Sequence, residues 1–363
     1  MPPVSFSPLP YLTADLLGVG GVMKHEPEDF VVEEQPLYEP CGEGEHLYLW
    51  VEKRDISAEL LVQHLARSLR IGRELVGVAG LKDRRAVTRQ FVSVPAACED
   101  RLNDVESDAI RVLKVARHGN KLKTGHLRGN SFDVLIRDTT TDPIKCAEPI
   151  ADIIRSQGFP NYYGEQRFGF DGETLSLGID LLTGKKSERD IPRNRRKFLL
   201  RLSLSAVQSA IFNEVLRRRI EDRLLTRVLP GDVMQVKATS GPFVAEDLSR
   251  EQARFEQGEI VISGPMYGLK MRHPMGEVAD REHAVLALFG LSPANFAGWK
   301  KLLPGTRRPL MMSAEDMRLT EAQQGLRLRF GLDRGTYATS LLREFMKSEF
   351  EPGSGPVGTG QPE

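Results

Sequence analysis

At 363 residues with 40% hydrophobic positions, the chain is long enough for about two domains with real cores. Lysine plus arginine equals aspartate plus glutamate, 50 against 50, which excludes the global basic excess of many nucleic-acid binders and makes any RNA surface local. Cys41, Cys98 and Cys146 lie far apart, with no Cys-x-x-Cys pair and no ligand-spaced histidines, so neither a zinc site nor a disulfide framework is expected, and a reducing, cytoplasmic setting fits.

The run Met1 to Pro10 lacks the basic start and apolar stretch of a signal peptide, and nowhere do about 18 apolar residues run together, so neither secretion nor membrane insertion is expected. Period-two stretches at Phe30–Glu33, His46–Val51, Ile110–Val115 and Phe132–Arg137 predict strands. Leu75–Ala79 reads as a short buried strand and Arg89–Val94 as another, which puts Asp83 in the connection between them. Helices are predicted over Ser57–Leu69, with Ser57 as N-cap, and over Ile144–Ser156, ending before Gly158. A sheet with segregated helices makes the first part of the chain α+β.

From about Pro160 the texture changes to Gly-rich loops, a basic segment and a long helical pattern from Ser203 to Leu224. The terminal Glu351–Glu363, whose one large apolar residue is Val357, is expected to be disordered. Two basic segments stand out. Between Ala109 and Phe132 lie Arg111, Lys114, Arg117, Lys121, Lys123 and Arg128, with His118 and His126 and no acidic residue before Phe132; Lys185–Arg201 sets eight basic residues against Glu188 and Asp190. Either can neutralise phosphates, or can equally be a solvated strand-loop-strand and the exposed approach to a helix.

Asp83 stands between Lys82 and Arg84 in Ala79-Gly-Leu-Lys-Asp-Arg-Arg-Ala-Val-Thr-Arg-Gln90, where neighbouring positive charge would keep a carboxylate ionised. On local residues alone it is also an ordinary turn aspartate. The whole string resembles the signature of the TruD family of transfer-RNA pseudouridine synthases, Ala-Gly-x-Lys-Asp-Arg-x-Ala-Val-Thr-x-Gln, at every specified position. Lys24-His-Glu-Pro-Glu-Asp-Phe-Val-Val-Glu33 is similar to the family's Lys-x-x-Pro-Glu-Asp-Phe-x-Val-x-Glu. Arg128–Phe132, Pro160–Gly169 and Leu328–Thr339 are similar to three further blocks, in the family's order, so the likeness spans about residues 22 to 345. Tyr163, where phenylalanine is common, and Asp333-Arg334, in place of a proline-containing turn, are mild departures.

The resemblance implies a pseudouridine-synthase-type catalytic domain, with a central, mostly antiparallel or mixed sheet flanked by helices, over 1–159 and 307–350. It implies an inserted α/β domain over 160–306. It further implies that Asp83 is catalytic, that Phe30, Asn130 and Phe330 line the pocket for the target uridine, and that the substrate is tRNA at uridine 13 of the D-arm. Lys24, Lys82, Arg84, Arg193, Arg195 and Arg196 are candidate RNA contacts, and a monomer is expected.

The isomerisation breaks the bond between ribose and base nitrogen, turns the base and rebuilds the link through carbon, with no change of composition, so no cofactor, nucleotide or metal is called for. It requires a carboxylate near the glycosidic carbon, a pocket for the detached base, and extrusion of the nucleotide. Asp83 can add to the sugar, abstract a ribose proton to give a glycal, or add to the base, and the sequence leaves the three open. A non-catalytic RNA-binding or RNA-folding factor on the same scaffold is the alternative, opposed by the intact Lys82-Asp83-Arg84 core. A metal- or nucleotide-dependent enzyme finds no support in a P-loop, a His-Glu-x-x-His helix or a nucleophile elbow.

Overall fold

The computed structural model describes residues 8–347, so the tail expected to be disordered at 351–363 lies outside the described residues. Strands β1 (Gly20–Met23), β2 (Phe30–Pro36), β3 (His46–Arg54), β4 (Gly77–Val78), β5 (Val87–Pro95), β6 (Ile110–His118) and β7 (Leu127–Thr139) form most of one large sheet. The predicted strands are all present, but Leu75–Ala79 is reduced to two residues, because Arg73–Leu75 closes a 3-10 turn instead. Helix α1 (Ala58–Ser68) begins where expected, with the Ser57 hydroxyl accepting from the Leu60 N–H. Helix α2 (Pro143–Gln157) is capped by Asp142 and ends at Gly158, whose φ of 81° suits glycine.

The chain then leaves through β8 (Phe159–Pro160) into the insert. There α3 (Glu173–Leu182) and α4 (Arg196–Glu221) pack against β9 (Val233–Val236), α5 (Leu248–Glu256), β11 (Ile260–Met266) and α6 (Gly276–Leu288), with β10 (Pro242–Val244) as an edge. The four-stranded sheet runs β10-β9-β11-β12, all antiparallel, and β12 (Thr306–Pro309) keeps Arg307 in the insert, where it forms a buried ion pair with Glu282 at 2.7 Å. The chain returns through β13 (Met311–Met312), which pairs with β8, and completes the large sheet with β14 (Glu315–Ala322), β15 (Gly325–Asp333) and the closing helix α7 (Ala338–Met346). Helix α4 starts seven residues before the predicted Ser203, so the basic residues Arg196, Lys197 and Arg201 lie on its first turns and not on an approach to it. Their charge hides the helical spacing of Leu200, Leu204 and Val207, which are buried.

The large sheet has the order β14-β15-β7-β2-β5-β3-β6, with only β2 and β5 parallel among these neighbours; β1 extends the edge of β7 and β4 that of β5. Cross-strand partners share a face. The registers Phe30↔Val134, Val32↔Phe132, Glu34↔Asn130, Phe330↔Phe132, Val32↔Thr88 and Lys53↔Thr88 therefore put Phe30, Glu34, Lys53, Thr88, Asn130 and Phe330 on one face. Helix α1 covers that face over β3 and β5, while α2 and α7 cover it over β7 and β15. The polar residues of the set fall between the two covers. The opposite face carries ion pairs such as Arg89 with Glu33 and Glu52, and Arg327 and Arg329 with Asp133. Among the described residues no helix is long and apolar enough to cross a membrane.

Gly129 shows how tightly this region is assembled. A Cβ there would lie 2.3 Å from the Leu332 carbonyl oxygen and 3.1 Å from Gln35 Oε1, so β7 and β15 approach to a spacing only glycine admits. Gly129→Ala should lower stability by about 1–3 kcal/mol in urea unfolding; an unchanged midpoint would mean that the two strands can part at no cost.

Candidate active site

Along one edge of β5, β2 pairs with Val87–Arg89 and β4 with Val92 and Ser93, which leaves a gap between them. Glu34 fills it: its Oε1 accepts from the Phe91 N–H at 3.3 Å, and its Oε2 meets the Lys82 ammonium at 2.9 Å. Both side chains are buried, 1% and 4% exposed. Burial raises the Glu34 carboxyl pKa, against the pull of Lys82. Lys82 also donates to Asn130 Oδ1 at 2.7 Å, which fixes the amide and leaves its NH2 as the free donor.

With Lys82 drawn inward, the carboxylate of Asp83 turns outward and is 53% exposed. Its partner is neither flanking cation, contrary to the sequence expectation. It is Lys24, whose ammonium lies 2.8 Å from Asp83 Oδ2 and 4.1 Å above the centre of the Phe30 ring. Lys24 holds a left-handed backbone, φ 55°, unusual for a non-glycine residue and concentrated at functional sites. Arg84 is exposed, and its side chain has no partner among the described residues.

Beneath the loop, Lys53 is fully buried and donates to the carbonyls of Asp83 at 2.6 Å and Ile56 at 2.8 Å. Thr88 Oγ1 and both amide atoms of Gln90, buried on the same face, have no hydrogen-bond partner among the described residues. The aromatic residues form a row: Phe330 stacks on Phe132 at 5.2 Å, and Phe132 meets Phe30 edge-on at 6.0 Å. Phe30 and Phe330, 1% and 3% exposed, are members of the main apolar cluster. The Lys24 ammonium covers one side of the Phe30 ring.

Of the candidate residues, Lys24, Phe30, Lys82, Asp83, Asn130 and Phe330 are thus brought together. Arg193, Arg195 and Arg196 lie on the insert, and Arg196 is half-buried with its guanidinium on the Ile191 carbonyl. Beside them is a shallow, open depression of the surface lined by Arg167, Asn194, Lys197, Phe198, Arg201, Leu202 and Ser205, with no carboxylate. Glu34 and Lys53 were missed by the sequence reading. Each had a signal: both fall on the apolar parity of their strands, after Phe30 and Val32 and after Leu49 and Val51, and the last Glu of the N-terminal pattern, counted from Lys24, falls on Glu34.

The large sheet is mixed and interrupted by the insert, and the Asp83 carboxylate is presented at its rim, where the helical covers of the face leave a gap. The profile of the family described as "tRNA pseudouridine synthase D (TruD)" matches residues 8–189 and 185–345. The chain is 41% identical over 343 residues to a tRNA pseudouridine synthase D of Anaeromyxobacter dehalogenans, covering 94% of this chain and 97% of the relative. It is 42% identical over 341 residues to the Thermus thermophilus protein of the same name, covering 94% and 92%. A crystal structure described as TruD from Methanosarcina mazei superposes with a TM-score of 0.77 at 25% identity, covering 93% and 96% of the two chains. The chain belongs to the TruD family.

Burial pushes the Lys53 ammonium down to about 8 from 10.5, while Asp83 pulls it the other way. The unfolded chain then binds this proton more tightly, so stability from this group rises with pH between those two values, by at most on the order of 3 kcal/mol. Urea midpoints at about pH 7 and about pH 9.5 should show the rise in the wild type and lack it in Lys53→Met; parallel changes in both proteins would refute the assignment.

Proposed function

We propose that this protein isomerises uridine to pseudouridine in tRNA, at uridine 13 of the D-arm, through an extruded nucleotide and the carboxylate of Asp83. The observation that carries the reading is the placement of Asp83: a half-exposed carboxylate held by Lys24, whose ammonium also lies over the ring of Phe30. An entering uracil takes the place of the Lys24 ammonium over Phe30, with its sugar towards Asp83. The NH2 of Asn130, oriented by Lys82, donates to a carbonyl of the base, and Phe330 supports the stack through Phe132. The displaced ammonium is then available to the nearest phosphate. The substrate and the setting, tRNA in the cytoplasm, follow the family.

Asp83 can act on the sugar by two routes, and addition to the base ring is the third. Addition to C1′ expels the base and holds the sugar covalently; abstraction of the C2′ proton expels the same base and leaves a glycal. In both, the base turns within the pocket and re-bonds through C5, whose proton is then lost. A primary isotope effect with deuterium at C2′ belongs to the second route alone.

Asp83→Asn and Asp83→Ala should abolish turnover while leaving tRNA affinity within about an order of magnitude, because phosphate contacts supply most of the binding. Product is measured by nearest-neighbour analysis and binding by filter retention; substantial turnover in Asp83→Ala would sink the assignment.

The open depression of the insert, lined by Arg167, Lys197 and Arg201 with no carboxylate, supports an RNA-contacting role for that surface. Replacing Lys197 and Arg201 with alanine should make the plot of log affinity against log salt shallower by roughly one unit for each phosphate that is no longer neutralised, with chemistry intact at saturating tRNA. An unchanged slope would mean that these charges only solvate the start of α4.

A further inference from the structure

Leu81 precedes Asp83 by two residues and is 83% exposed, more than any other large hydrophobic among the described residues. A lone exposed leucine is ordinary and carries nothing by itself. Its support is what distinguishes this one. The loop is tied on both sides of it: the Ala79 carbonyl accepts from the Gly125 N–H at 2.8 Å, and the Asp83 carbonyl accepts from Lys53 at 2.6 Å. Lys82 is drawn down to Glu34 and Asn130, and Arg85 donates to the His25 carbonyl at 2.7 Å. An isobutyl group is therefore held in water on a braced loop beside the acid, at no gain to the fold. On the far side of Asp83 stands Arg84, exposed and without a side-chain partner among the described residues.

We propose that Leu81 is the wedge that enters the RNA stack as the target uridine leaves it. Extrusion forfeits stacking on both neighbours, and an apolar side chain that fills the vacated space offsets part of that loss. Of its neighbours, Lys82 is committed to Glu34 and Asn130 and Asp83 to the sugar, while the guanidinium of Arg84 suits a phosphate better than the space between bases. Residues two apart are at most about 7 Å apart along the chain, which matches the separation of a vacated base position from the sugar of the nucleotide swung out of it. Arg84 takes a phosphate on the side away from the wedge, so Leu81, Asp83 and Arg84 engage the stack, the sugar and the backbone of one nucleotide step. The inference rests on the reading that the protein acts on an extruded uridine, but not on which atom Asp83 attacks.

Two readouts test it. In an Asp83→Asn background, which does no chemistry, 2-aminopurine placed beside the target uridine of a tRNA transcript should brighten on binding, as its neighbour unstacks. Adding Leu81→Ala should remove most of that rise with little change in tRNA affinity or melting temperature, and Leu81→Met should keep it. In the otherwise unaltered enzyme, Leu81→Ala should slow single-turnover modification of the intact transcript by about tenfold or more, yet leave the rate unchanged on a transcript with abasic sites flanking the target, which has no stack to leave. An undiminished fluorescence rise in Leu81→Ala, or an equal loss of rate on both transcripts, would overturn the proposal. A normal rise in Asp83→Asn together with full activity of Asp83→Ala would instead overturn the catalytic assignment and leave the wedge standing.

Discussion

Glu34 and Lys82 show almost no surface to solvent, and either one buried without the other would be strongly destabilising. Their pairing closes the gap between β2 and β4 on the edge of β5, and it does so with a residue of the loop that carries Asp83. Once Lys82 is committed inward, alternation along the loop sends Leu81 and Asp83 outward. The same ammonium reaches Asn130, so one buried contact sets the direction of the acid, the orientation of the amide and the seat of the loop. Lys53 completes the arrangement from below, with a charge that finds carbonyls but no carboxylate in direct contact.

Charges near the site thus divide by exposure. Lys82 and Lys53 are structural cations: Lys82 is paired with Glu34, whereas the carbonyls that receive Lys53 offset its desolvation only in part. Lys24 is 23% exposed, and its left-handed backbone aims the ammonium at both the carboxylate and the ring. A group with two modest contacts at the surface can be displaced at little cost; one buried in an ion pair cannot. That difference separates Lys24, which can be displaced from Asp83 and Phe30, from Lys82, whose replacement would disturb the fold.

Much of this could be read before the structure. Alternation predicted β2, β3, β5, β6 and β7 of the large sheet but not β1, β14 or β15, the Ser57 cap and Gly158 predicted the ends of two helices, and the Ala79–Gln90 string singled out Asp83. What the sequence concealed was partnership. Adjacent charges at 82, 83 and 84 suggested mutual interaction, but neighbours in an extended loop point apart, and the true partner of Asp83 lies 59 residues earlier. Glu34 and Lys53 sit on the apolar parity of their strands, a signal of burial that their polarity masks, and only the register shows what each one meets. The first turns of α4 were hidden because basic residues on its exposed side diluted the apolar spacing.

The split sheet also has a history in time. Asp133 on β7 and Arg327 on β15 are joined by a hydrogen bond across 194 residues of chain, and the whole insert is made between them. As the chain leaves the ribosome, β7 therefore waits with an open edge while α3 to β12 are synthesised, and closing so long a loop is slow. An unpaired strand edge is a template for association with other chains. The insert, whose strands pair among themselves and whose buried Arg307–Glu282 pair is internal to it, can fold first and draw β8 and β13 together. The pairing of β8 with β13 brings the two ends of the insert together, so the chain left to close between β7 and β15 is the length of α2 and β14, not that of the whole insert.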